Sequence, residues 1–286
     1  MQPARKRRWF SFSLRTTALL LTILLILLGV FANRALRQQK AVATILAKGG
    51  RVFHEYDNPL ESPLPLAPHW SAKYIGLDFV ETVTGVDLIG QEFTDDDLAL
   101  LDDLPRLRWL YLYDTKMTGA GFQHVSQLRH VENLVVNLTP LTDEAMPEVA
   151  KMKQLTDLHI TGAKITDLGA RAVAQLPNLE TLSLSDCPVT DAGFSSPLPD
   201  SLREVSLEDT ALTDAGLRQL GSLPNLTRLS LYGTKVTDQC VPYLTSLPNL
   251  RAIMLGNTAV SDTGLRKLKA LGGRALVVSP DPEVFD

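Results

Sequence analysis

The sequence predicts an α/β protein: a solenoid of stacked strand-turn-helix units with a parallel sheet on its concave face and short helices on its convex face, preceded by an apolar helix. Three observations lead there. Eight segments, starting at Val83, Leu107, Val131, Leu155, Leu179, Leu202, Leu226 and Leu250, recur every 24 residues, with one spacing of 23 between Leu179 and Leu202. Each opens with apolar residues in the pattern LxxLxL, and the last two alternate with the period of a strand that buries one face, as in Leu226, Leu229 and Leu231. Ahead of all of them, Thr16 to Ala32 is a run of 17 residues without a charge.

Taken in order, residues 1–15 are a basic segment with Arg5, Lys6, Arg7, Arg8 and Arg15, and residues 16–32 are a transmembrane helix. At 1.5 Å per residue the uncharged run spans ~26 Å, the short end of what crosses a bilayer. The five leading cations favour a cytoplasmic N-terminus and an extracytoplasmic body, although Arg34, Arg37 and Lys40 follow closely. The alternative is a signal peptide cleaved after Val30-Phe31-Ala32, leaving a secreted or periplasmic protein. Helix-compatible sequence continues unbroken to Gly49 and Gly50, which favours a retained anchor with residues 33–50 as a rigid helical stalk.

Residues 51–82 belong to no repeat and are expected to cap the exposed first unit. Arg51 to Asp57 alternates like a strand, Asn58 to Pro68 reads as a proline-rich loop, and Trp70 to Val80 as a helix. The repeats then fill residues 83–271. Ten residues into each comes an apolar residue followed by Thr or Ser, in most units with Asp next, as in Thr213-Asp214. The hydroxyl can accept a free backbone N–H and the carboxylate sits at the positive end of the helix dipole, which together mark a helix start. Leu-Pro-Asn ends three units, at Leu176, Leu223 and Leu247, where proline stops the helix and turns the chain to the next strand. In the fifth unit Pro197 replaces a core residue, so its helix should be absent or a single turn. Residues 272–286 offer one short strand, Ala275 to Val278, as a C-terminal cap and tail.

On these residues the chain resembles the leucine-rich repeat family, in the variant with a T-D-x-G-L helix start, over Val83 to Leu271. The resemblance implies a curved solenoid. It extends to the substrate receptors that carry Cys eight residues after each start; here that slot holds Gln91, Thr115, Thr139, Ala163, Cys187, Thr210, Thr234 and Thr258. The threonines are expected to satisfy turn backbone groups from inside. No F-box precedes the array, so a ubiquitin-ligase role does not carry over. The overall plan is similar to bacterial single-pass leucine-rich repeat proteins, which implies an envelope location.

Chemistry is hard to place on this chain. Of 28 basic residues, five lie in the first 32, leaving 23 against 32 acidic ones, a charge of −9. So acidic a body lacks the footprint of a nucleic-acid binder. No nucleophile elbow, phosphate loop, HExxH, CxxC or nucleotide fingerprint occurs, so no enzyme and no cofactor is expected. Cys187 and Cys240 lie two units apart and read as separate buried thiols; the five histidines fall in different phases of the repeat and suggest no metal site. The aspartates that follow the Thr or Ser are accounted for by helix starts.

What the repeat leaves free is the concave surface, where residues two, four and six after each start point out of the sheet. In three successive units these include Trp109, Tyr111 and Tyr113, then Asn133 and Asn137, then Asp157 and His159. Outward aromatics beside amides have the composition of a binding hot spot. The structural alternative is that Trp109 and its neighbours pack against the cap or form an aromatic ladder. A weaker cluster joins Glu204, Glu208, Arg228 and Tyr232. The expected function is a membrane-anchored binding module for a protein or envelope polymer; the alternative is an envelope scaffold or spacer without a specific ligand.

Overall fold

The computed structural model describes residues 14–54, 82–271 and 277–279. Ten strands form one sheet in chain order: β1 (Arg51–His54), β2 (Val83–Ile89), β3 (Trp109–Tyr113), β4 (Asn133–Asn137), β5 (Asp157–Thr161), β6 (Thr181–Ser183), β7 (Glu204–Ser206), β8 (Arg228–Ser230), β9 (Ala252–Met254) and β10 (Val277–Ser279). β1 runs antiparallel to β2 and every later pair is parallel. The register follows the repeat: Trp109 faces Asn133, which faces Asp157. The single short spacing is absorbed without a slip, since Thr181 faces Glu204. The tail strand, expected over Ala275 to Val278, is β10 at Val277–Ser279, parallel to β9; residues 275 and 276 lie outside the described residues. The proline-rich loop and the Trp70 to Val80 helix expected in the cap lie outside the described residues, as does the basic segment before residue 14.

Inward strand residues such as Leu110, Leu134, Leu158 and Leu182 are buried and belong to one core running from Val42 to Leu268. The turn threonines work as their slot predicts. Thr210, Thr234 and Thr258 are largely shielded, and their hydroxyls donate to the carbonyls of Leu207, Leu231 and Leu255 at 2.7, 2.6 and 2.6 Å. Thr115 and Thr139 share a hydrogen bond of 3.1 Å. The convex side is a mixture of short α-helices and 3-10 turns, and the fifth unit makes one 3-10 turn, Asp191–Phe194.

The helix starts differ from expectation in one respect. Thr166, Thr190, Thr213 and Thr237 have extended backbones and accept the N–H two residues on, as N-caps do. The aspartates beside them, however, do more than face their own helices: they reach across to the next unit. Asp143 accepts the Thr166 N–H at 2.8 Å and its hydroxyl at 2.6 Å, and Asp191 treats Thr213 the same way at 2.8 and 2.6 Å. Asp167, Asp214 and Asp238 repeat the pair with Thr190, Thr237 and Ser261. At Asp95, burial pushes the carboxyl up, but bonds from Thr118, Gly119 and Gly121 outweigh it and hold the group below its usual 3.8. A charged acceptor joined to N–H and O–H of its neighbour makes a strong staple between units.

This staple explains the glycine of T-D-x-G. A Cβ on Gly169, Gly193, Gly216 or Gly264 would press into the carboxylate of the preceding unit. Some units depart from the pattern: the second has Gly119 where others have Asp, and the third then has Ala145 where others have Gly, whereas the seventh carries Cys240 although Asp214 keeps its staple to Thr237, so glycine is favoured in this slot but not obligatory.

N-terminal to the sheet, α1 (Leu14–Ala47) is one unbroken helix. The stretch from Arg15 to Ala47 is long and apolar enough to cross a membrane, a property shared by signal sequences. Its end is a Schellman motif: Gly49 has φ 88°, its N–H bonds the Leu46 carbonyl at 3.0 Å, and the Gly50 N–H bonds that of Ile45 at 3.0 Å. The last turns are not a free-standing stalk. Ala35, Ala41, Val42 and Ile45 recur at helical spacing and are buried, Ile45 completely. Lys48 pairs with Asp97 at 2.6 Å and lies 5.7 Å from the centre of the Phe93 ring. The first unit's Phe93 and Leu98 would otherwise face solvent, so α1 and β1 together close that end of the core.

Candidate functional site

Strand phase brings the seven site residues together on the concave face of β3, β4 and β5. Trp109, Asn133 and Asp157 form one cross-strand row; Tyr111, Val135 and His159 the next; Tyr113, Asn137 and Thr161 the third. All share one face because residues two apart in a strand point the same way.

Within this patch the side chains have different commitments. The Trp109 ring packs in tilted contact 4.5 Å from Phe53 of β1 and 5.1 Å from Tyr111, and it fills the space over Gly85 where a Cβ would overlap it. Trp109 is therefore tied to the N-terminal closure. Tyr111 is half-buried between Asp87 and Val135, whereas Tyr113 is 46% exposed. The side-chain carbonyls of Asn133 and Asn137 are buried without a hydrogen-bond partner among the described residues. Asp157 accepts the Thr156 hydroxyl at 2.6 Å. Burial pulls the His159 imidazole below its usual 6.5, against the opposing pull of Asp157 and Glu204.

Sequence reasoning missed part of this surface. Arg51 and Asp87 face each other across β1 and β2 and form an ion pair of 2.9 Å. Burial nevertheless holds the Asp87 carboxyl above its usual value, with Arg51 opposing. With Ile89, Tyr111, Tyr113 and Asn137 they line a cleft of about 300 Å³. The available signal was the slot of Asp87, four residues after Val83, the same as that of Tyr111.

A second trench of about 340 Å³ lies over β6, β7 and β8, where Ser183, Ser206 and Ser230 form a low floor. Its walls include Glu204 and Arg228, paired at 3.2 Å, and Glu208, which accepts the Ser230 hydroxyl at 2.6 Å. Tyr232, expected in this cluster, lies two residues beyond the end of β8 and is not among the residues that line the trench. Both cysteines are buried and unpaired, and burial, then Asp214 and Asp238, push the Cys240 thiol up to about 12. Neither thiol is a nucleophile at neutral pH. Among the described residues no group of three or more His, Cys, Asp or Glu is placed to hold a metal ion.

The leucine-rich repeat family profile matches residues 152–174 and 175–196. Among solved structures, internalin C2 of Listeria monocytogenes is similar over 72% of this chain and 83% of its own, with 22% identity and a TM-score of 0.53. Internalin InlF of the same species is similar over 62% of this chain and 49% of its own, with 21% identity and a TM-score of 0.50. No curated protein matches the chain significantly. At such identities the likeness is one of fold, and the fold agrees with the profile and with the 24-residue register of the sheet. The fold is that of a leucine-rich repeat solenoid, and residues 152–196 match the repeat's own profile.

Proposed function

We propose that the chain is a membrane-tethered binding module whose concave face, over β3 to β5, engages a protein or envelope polymer outside the cytoplasmic membrane. The observation that carries this reading is the in-register patch of Tyr111, Tyr113, Asn133, Asn137, Asp157 and His159 beside an open cleft. Tyrosines offer apolar area with a polar tip, and amides add directional bonds, so the face suits recognition and requires no bond-making chemistry. The scaffold alternative finds support at Trp109, whose contacts with Phe53 and Gly85 are accounted for by folding.

Affinity capture with the full chain, followed by calorimetry on the captured partner, tests the site. Tyr111→Ala should weaken binding by roughly 1–4 kcal/mol, as buried hot-spot aromatics do. Ser230 is a poor neutral control, being buried and bonded to Glu208; Thr181→Ala, on the same face of β6, should leave affinity unchanged. Equal affinities for wild type and Tyr111→Ala would move the site off the patch. The tether is tested separately: protease added to spheroplasts should degrade the repeats, and the mature chain should retain the segment before Asn33. Protection, or a mature N-terminus at Asn33, would overturn the topology.

A further inference from the structure

At the residue seven after each start the chain turns off the sheet with a left-handed backbone. Seven of the eight units use a residue suited to that conformation: Gly in the first, fourth and seventh, Asp in the second, fifth and sixth, Asn in the eighth. The third uses Leu138, with φ 51°. A branched apolar side chain is a poor choice there. Burial does not account for it, because Leu138 is 53% exposed. Nor does the neighbouring unit: Leu138 leans over Gly162, whose lack of a side chain leaves it uncovered. It directly follows Asn137, which is paired with Tyr113. Outside α1, the large apolar side chains exposed among the described residues are Tyr113, Leu138 and Leu168, and the first two share one corner of the sheet. Strain kept at an exposed apolar residue is what a binding anchor leaves behind.

The charges around this corner say what kind of partner fits. The concave rows carry Asp87, Asp157, Glu204 and Glu208 against Arg228, with Arg51 added from β1. The turn row adds Asp114, which accepts from Gln91, with Asp186 and Asp209 and no base; Lys116 and Lys164 stand two residues past it in the flanking units, and the balance of these charges remains acidic. We propose that Leu138 and Tyr113 form the apolar anchor point for a basic polypeptide segment, seating one large apolar side chain while flanking lysines or arginines meet the turn aspartates. This rests on the concave-face reading and narrows it to a protein partner, since a polysaccharide brings no such side chain and a polyanion is repelled.

The test uses the full chain in phosphatidylcholine nanodiscs and a random twelve-residue phage-displayed peptide library, counter-selected on empty nanodiscs. Peptides enriched on wild type should carry a large apolar residue flanked by Lys or Arg. Leu138→Asn, the residue type found in the same slot of the eighth unit, should lower their retention roughly tenfold while raising the unfolding temperature by roughly 2–4 °C as the backbone strain is relieved. Enrichment of acidic or wholly polar peptides, or none above empty discs, overturns the proposal, as does undiminished retention on Leu138→Asn. A lowered unfolding temperature overturns its premise of strain. Tyr111→Ala separates it from the reading beneath: loss there without loss at Leu138→Asn leaves the concave site standing and removes Leu138 from it. Retention by both variants moves the site off the face altogether.

Discussion

Leu207→Ala should destabilise the fold by about 2–5 kcal/mol. Leu207 is fully buried five residues after its unit's start, the slot held by Leu184 in the preceding unit and Leu231 in the following one. In a solenoid each unit touches only its neighbours, so the space left by the lost methyls is bounded on both sides by leucines already held in register. Little can shift inward to fill it, which places the cost in the upper part of the range for large-to-small changes. Urea unfolding followed by circular dichroism measures it. A loss below about 0.5 kcal/mol would mean that the side chain does not face the core and that the register of the sixth unit is wrong.

Gly216→Ala should cost about 1–3 kcal/mol, much for one added methyl, even though the seventh unit accommodates Cys240 in the same slot. The backbone at Gly216 is not left-handed, so the penalty comes from space. The new Cβ would overlap the Asp191 carboxylate and the Leu212 side chain. Moving the carboxylate breaks its bonds to the Thr213 N–H and hydroxyl and unfastens the fifth unit from the sixth. The same substitution made together with Asp191→Ala should cost much less than the two single changes summed, because no carboxylate then occupies the slot. The chain already contains this arrangement, in Gly119 followed a unit later by Ala145. Additive losses in the double-mutant cycle would show that the carboxylate is not what excludes the methyl.

These cases show where the sequence was readable. The 24-residue period and the alternation of Leu229 and Leu231 were enough to place the core, the sheet and the outward rows, because each depends on residues a few positions apart. The left-handed turns went unread, although Gly, Asp and Asn in the seventh slot of seven units were a signal for them. The carboxylate staples were not readable, since Asp191 and Thr213 meet only once two units are stacked. The end of α1 was read as a stalk because no repeat marks it; its spacing of Ala41, Val42 and Ile45 has meaning only beside an uncovered first unit. In the candidate site, phase gave the surface but not the division of labour. Trp109 is drawn into the fold by Gly85, 24 residues earlier, and a missing side chain in an outward row was the one clue to it.

The Schellman turn at Gly49 and Gly50 also has a mechanical consequence. Because α1 passes into the closed end of the solenoid with Ile45 locked in place, the chain there has no swivel. Turning the helix about its long axis swings the concave face through the same angle, and a pull on that face reaches the helix as tension and torque with no slack to take up. A flexible tether would let the array sample all headings; this joint fixes one, so whatever holds the helix also aims the array.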